Sequence, residues 1–171
     1  MATLLDTDLS KAQQLAKTTQ VFALIALVMI GLSILFKIGL PAIRFVMDEA
    51  LPWRTRVTEI GLLAVQALPA VWLCQAVNRL HLALKHYCEG DFFSKSASQR
   101  VAEAGDYALQ AMIALILIVP NLTQWIRHQG GFEIRLEPEY FGMLAFALFI
   151  AMVGRILSAA TTLKEENEGF V

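Results

Sequence analysis

The sequence predicts an all-α membrane protein with four transmembrane helices, cytoplasmic helical extensions and a short extracytoplasmic β-like segment. Three observations lead there. The chain is 57% hydrophobic and only 17% charged, against about 45–50% and about 25% in soluble domains. Its mean hydropathy is +0.56. Its apolar residues also fall in four blocks, each near the roughly 20 residues that a helix needs to cross a hydrocarbon core about 30 Å thick. Residues 1–171 therefore read as one four-span domain, with spans at about 20–40, 60–79, 107–125 and 140–160.

The first span runs from Val21 to Phe36 without a charge, then passes Lys37 to Ile38, Gly39 and Leu40. It is longer than the about 7–15 residues of a signal-peptide core, and no A-x-A site follows it, so it is expected to be retained. The second span is interrupted only by Gln66, Pro69 and Gln75. The third carries Gln110, Pro120, Asn121, Thr123 and Gln124, and the fourth meets its first charge at Arg155. Pro69 and Pro120 each remove a backbone hydrogen bond and tend to kink a span. Beside Gln66, the Pro69 kink either lines a small pocket or is a purely structural bend.

Helical spacing continues past each span. Asp8 is the expected N-cap of the first helix, with Leu9, Ala12, Leu15/Ala16 and Thr19 recurring at helical spacing. Leu80, Ala83/Leu84 and Tyr87 carry the second helix on to Gly90, a residue suited to a left-handed C-cap. Ser96 with Gln99 fits a capping box for the third helix, and the fourth continues to about Leu163. These ends either project together as a short bundle or lie as amphipathic flanks among the headgroups. On the opposite side, Phe132-Glu133-Ile134-Arg135-Leu136-Glu137 alternates with period two, the pattern of a half-buried strand that Pro138 ends.

The termini and the middle connector share one side of the membrane. That side carries Lys11, Lys17, Arg79, Lys85, Lys95, Arg100, Arg155 and Lys164. The other carries Lys37, Arg44, Arg54, Arg56, Arg127 and Arg135. The bias of eight to six places both termini in the cytoplasm by the positive-inside rule.

Several chemistries are disfavoured. A net charge of -1 argues against direct nucleic-acid binding, which needs a basic patch to neutralise phosphates. Cys74 lies in an apolar run and Cys88 in a polar connector, so no disulfide framework is expected. His81 and His86 are five apart and share a helix face poorly. Spans one, three and four hold no histidine and His128 sits at the opposite membrane side, so neither metal nor haem nor any other cofactor is expected. There is no H-E-x-x-H, no G-x-S-x-G and no pair of intramembrane aspartates, so the chain is not expected to be an enzyme. The sequon Asn121-Leu122-Thr123 sits at a membrane end and is discounted.

None of the four spans contains Asp or Glu, which weakens ion-coupled transport. Arg155 lies near the cytoplasmic end of its span, where snorkelling takes it to the interface. Gln66, Gln75, Asn78 and Gln110 are available for hydrogen bonds between helices. Ala147, Ala151, Gly154 and Ser158 put small residues along span four, as Ala67, Ala70 and Cys74 do in span two. Small residues let helices approach closely in lipid. Packing within the four-helix unit is favoured over a seam for a partner or a second copy.

At the middle connector, Glu89-Gly90-Asp91-Phe92-Phe93-Ser94, followed by Gln99-Arg100-Val101 and Gly105, resembles a family of small bacterial membrane proteins. Leu157-Ser158-Ala159-Ala160-Thr161-Thr162-Leu163 with the acidic run to Glu168 resembles that family's C-terminal end. The family is catalogued as domain of unknown function 2975. The resemblance implies a bacterial inner-membrane location and a regulatory role by association, with no catalytic residues to carry over. The turn formed by Gly90, Asp91, Phe92, Phe93 and Ser94 is either a partner interface or a helix hairpin with aromatic interfacial anchors. The expected function is that of a non-enzymatic inner-membrane regulator, sensor or accessory subunit. It would sit in the lipid bilayer beside a protein partner or a second copy of itself. The alternatives are a small transporter or lipid-binding protein with a cavity beside Gln66, Pro69 and Gln75, and a non-catalytic subunit of a membrane enzyme.

Overall fold

The computed structural model describes residues 2–91 and 94–168, with 2–8, 165 and 168 described by their backbone alone. Among the described residues there are six α-helices: α1 (Ala2–Ile34), α2 (Leu40–Met47), α3 (Trp53–Cys88), α4 (Lys95–Ile113), α5 (Val119–Ile126) and α6 (Pro138–Glu168). Two π turns, Leu35–Gly39 and Ala114–Ile118, join α1 to α2 and α4 to α5, so the chain forms four continuous rods. All four are long and apolar enough to cross a membrane, over Leu9–Met47, Trp53–Cys88, Lys95–Ile126 and Pro138–Lys164. With 36 residues, α3 is about 54 Å long, well beyond a hydrocarbon core of about 30 Å.

Two expected caps are displaced. Asp8 lies within α1, which already starts at Ala2. At α4 the cap is Ser94, whose side chain accepts from the Ala97 N–H at 3.5 Å. The expected capping partner Gln99 instead donates to Glu103. Gly90 does end α3 with a left-handed φ of +85°, and the His86 carbonyl there accepts from the Glu89 and Asp91 N–H groups.

Each π turn stands just before a proline. The Leu40 N–H reaches back to the Leu35 carbonyl, and the Val119 N–H to that of Ala114. The next residues, Pro41 and Pro120, have no N–H to donate to the carbonyl four residues earlier. Widening the preceding turn to an i→i+5 bond carries the helix across that gap.

The four rods stand in a row. The α1 rod packs on α3, α3 on α4, and α4 on α6, and among the described residues no other pair of long helices makes more than glancing contact. The expected short bundle of projecting ends is therefore not closed. The reason is that α1 meets only one neighbour: 6% of its apolar window is buried. Its contact with α3 centres on Ala16, Ala23 and Leu84, flanked by Val77, Leu80 and Tyr87. At the same seam the Cys88 thiol donates to Gln20 Oε1 at 3.3 Å.

Glycine sets the approach of α4 to α6. A Cβ on Gly105 would fall on the Ala151 backbone and lie 2.6 Å from the Ala151 Cβ. One on Gly154 would fall on the Ala102 backbone, 2.8 Å from the Val101 carbonyl carbon. Each helix thus presents a bare backbone to the other, with Ala147 and Ala151 buried in the same seam.

The expected β-like segment is not a strand: residues 129–137 form no ladder. Side-chain and backbone groups of the third rod satisfy it instead. The Asn121 amide donates to the Glu133 carbonyl at 2.7 Å, and its oxygen accepts from the Glu133 N–H at 3.1 Å. The Arg135 N–H then donates to the Ile116 carbonyl at 3.2 Å, the acceptor that Pro120 leaves without its helical donor. Glu133 also accepts from Gln124 at 2.6 Å. The alternation is real, but Glu133 bonds to the helix while Phe132, Ile134 and Leu136 stay exposed. Asn121→Ala removes both bonds to Glu133 at once, at about 1–3 kcal/mol for the polar groups left unpaired. Amide hydrogen exchange across 131–136 is expected to accelerate, with the rest of the chain unchanged.

A candidate site in the cleft between three helices

Because α3 and α6 both lean on α4 but not on each other, a gap remains between them. It forms a cleft of about 780 Å³, within the about 300–1,000 Å³ typical of small-molecule sites. Ala104, Ala108, Ala111, Met112 and Leu115 of α4 and its π turn make the floor. Along α3 the wall is formed by Pro69, Ala70, Leu73, Ala76, Val77 and Leu80, and along α6 by Met143, Phe146, Ala147 and Ile150. Alanines at helical spacing, among them Ala70 and Ala108, leave the space open. Gln66 is the one polar side chain among the lining residues.

From Ala104 to Leu115 the floor rises about 16 Å, roughly half of the about 30 Å hydrocarbon core. The cleft is thus about as long as one leaflet is deep. Ion pairs stand beside its Leu80 and Ala104 end. Arg79 meets Glu103 at 3.2 Å and lies over the Tyr107 ring at 6.0 Å, tying α3 to α4. Arg155 meets Asp106 at 3.0 Å, tying α6 to α4. Charges at one end and an apolar floor beyond them match the boundary between headgroups and hydrocarbon.

The residues singled out from sequence are divided by this geometry. Gln66 and Pro69 line the cleft, whereas Gln75 is exposed on α3 and is not among the lining residues. Gly154 lies in the α4–α6 seam. Ser158 is half-buried one turn further on, its carbonyl accepting from the Thr161 and Thr162 hydroxyls. Arg155 has a partner in Asp106 that its sequence position does not suggest. That pair is open to solvent, with the Arg155 side chain 71% exposed. Exposed pairs contribute about 0–1 kcal/mol, so Asp106→Asn is expected to leave the thermal midpoint in detergent nearly unchanged. At the middle turn Gly90 and Asp91 are exposed and Ser94 caps α4. Phe92 and Phe93 lie outside the described residues. Gln13 of α1 reaches the turn, its amide 2.8 Å from where a Gly90 Cβ would stand.

Sequence reasoning does not single out Asp106, and it names Gly105 only within the family resemblance and Asn121 only as a polar member of the third span. Asn121 carries a detectable signal, a polar side chain one residue after a proline inside a span, which its place in a sequon obscures. Cys74 and Cys88 are both free thiols, and among the described residues no three His, Cys, Asp or Glu side chains come together. Comparison of the chain with protein-family models, curated proteins and solved structures gave no match.

Proposed function

We propose that the protein is a non-catalytic, bacterial inner-membrane protein that binds an apolar chain within the bilayer, in the cleft between α3, α4 and α6. One observation carries this: an apolar cleft of about 780 Å³, one leaflet deep, within the apolar segments of three helices. The bacterial inner membrane is supported by the likeness of residues 80–105 and 157–168 to the bacterial family. The positive-inside bias supports a cytoplasmic position for both termini and for the helix ends around the 90–94 turn.

A sensor or accessory role follows from connectivity. Both α3 and α4 line the cleft, and both end at the 90–94 turn. A chain that wedges between α3 and α6 would alter how α3 leans on α4, and the turn between them would move with it. A protein partner that reads the turn would then sense occupancy. Native mass spectrometry of the protein extracted in mild nonionic detergent provides the test. A retained apolar molecule at about one per chain is expected, and a bare chain under the gentlest extraction would count against the proposal.

A further inference from the structure

We infer that residues 132–136 dock on the same residues of a second copy, as an antiparallel two-stranded ribbon centred on Ile134. The inference does not depend on the cleft. In this extended segment the Glu133 N–H and C=O both bond to Asn121, and the Arg135 N–H bonds to the Ile116 carbonyl. Residues two apart thus aim their backbone groups at the third rod, so those of Phe132, Ile134 and Leu136 point away from it. Among the described residues these three make no hydrogen bond, and all three are exposed. Within one copy the outer edge of the segment is free.

That edge lies at hydrocarbon depth. Ile116 is ten residues inside Ile126, the end of the third rod, or about 15 Å. The α4–α6 seam sets Gly105 beside Ala151 and Gly154 beside Ala102. Continued along both helices, the same register puts Pro138 level with Ile118. From Arg135 to Pro138 the chain therefore rises about 3 Å while it spans about 10 Å, so it runs across the bilayer normal. An open backbone edge is not tolerated in lipid. A ribbon of two such segments covers both free edges at once, because the other edge of each is bonded to its own rod. Its two-fold axis stands along the normal, which keeps both copies in one orientation in the bilayer.

The partner is a second copy because the segment is complementary to itself. Phe132-Glu133-Ile134-Arg135-Leu136 reads apolar, acidic, apolar, basic, apolar. Paired antiparallel about Ile134, Phe132 of one copy stands opposite Leu136 of the other, and Glu133 opposite Arg135. The 132–136 and 134–134 pairs then exchange hydrogen bonds through the N–H and C=O groups left free in one copy. Each Glu133–Arg135 pair falls at a closely spaced, non-hydrogen-bonded position, where opposite charges attract. In one copy Arg135 meets only its own Glu133, at 3.4 Å and with half of its side chain exposed. Centring the ribbon on residue 133 or 135 instead would set like charges opposite and turn the bonded edges outward. Pro138, which has no N–H, ends the ribbon.

Cysteine cross-linking of the full chain in phosphatidylcholine vesicles tests the inference, with Cys74 and Cys88 replaced by alanine. Ile134→Cys is expected to form a disulfide dimer under mild oxidation, since opposed residues of a hydrogen-bonded pair stand about 5.5 Å apart between Cα atoms. Phe132→Cys should not cross-link to itself, because the two copies of that residue would be about 13 Å apart. A mixture of Phe132→Cys and Leu136→Cys proteins should cross-link. Adding Arg135→Glu to Ile134→Cys makes both charge pairs repulsive and should slow its cross-linking about tenfold. Glu133→Arg added to that protein should restore the rate, which a purely local role of either residue would not. Absence of a dimer from Ile134→Cys, or equal cross-linking at residues 132 and 134, would overturn the ribbon.

Discussion

Replacing Gly105 with valine is expected to separate α4 from α6 and to cost more stability than either Asn121→Ala or Asp106→Asn. The Ala151 backbone occupies the position of the new Cβ. Backbone cannot rotate aside as a side chain can, so the helices must part along the seam that also holds Ala147 and Gly154. Overpacking a tight core costs about 1–3 kcal/mol, and collision with a neighbouring main chain belongs at or above the top of that range. Gly154→Val is expected to behave alike, because Ala102 stands in the same relation to it. Gly31→Ala serves as the control: a Cβ there meets nothing within 4 Å. Thermal melts in detergent should show both valine variants unfolding early and Gly31→Ala unchanged or slightly stabilised. A Gly105→Val protein that melts with wild type would show that the two helices do not cross this closely.

Ala108→Trp is expected to abolish binding of an apolar chain with little loss of fold. Ala108 lies on the floor of the cleft, where about 780 Å³ is open to receive an indole. Filling existing space differs from overpacking, since no backbone stands in the way. The new ring would bridge α3 and α6, which otherwise do not pack on each other. Gain or retention of thermal stability with loss of bound chain is the expected pair of results. Equal chain binding by Ala108→Trp and wild type would place the ligand elsewhere.

The four spans are legible in the sequence because length and hydropathy are properties of each segment alone. Gly90 is legible for a similar reason, since a glycine closing an apolar periodic run points to a left-handed cap. The row of helices is not, because the sequence marks which faces are apolar but in lipid every outward face is apolar too. Gly105 is detectable from its cost: glycine inside a helix is about 1 kcal/mol worse than alanine, and its presence there asks for a packing reason. The 132–137 alternation gives the right period and the wrong partner. A strand seeks a neighbouring strand, whereas here Asn121 and the carbonyl that Pro120 leaves free supply the bonds. Gln66 and Pro69 point to a cavity beside them, but its size depends on alanines of α4 and on the distance between α3 and α6. Only the fold brings those together.

Photolabelling with an alkyl chain that carries a diazirine, in vesicles containing the purified protein, tests the central claim most directly. Peptide mapping should place adducts on Met112 and Leu115, on the cleft floor, and Ala108→Trp should remove them. General lipid contact would be reported by the exposed face of α1, at Phe22, Val28 and Met29, equally in both proteins. Adducts on α1 alone, with none in the cleft, would contradict a chain-binding role.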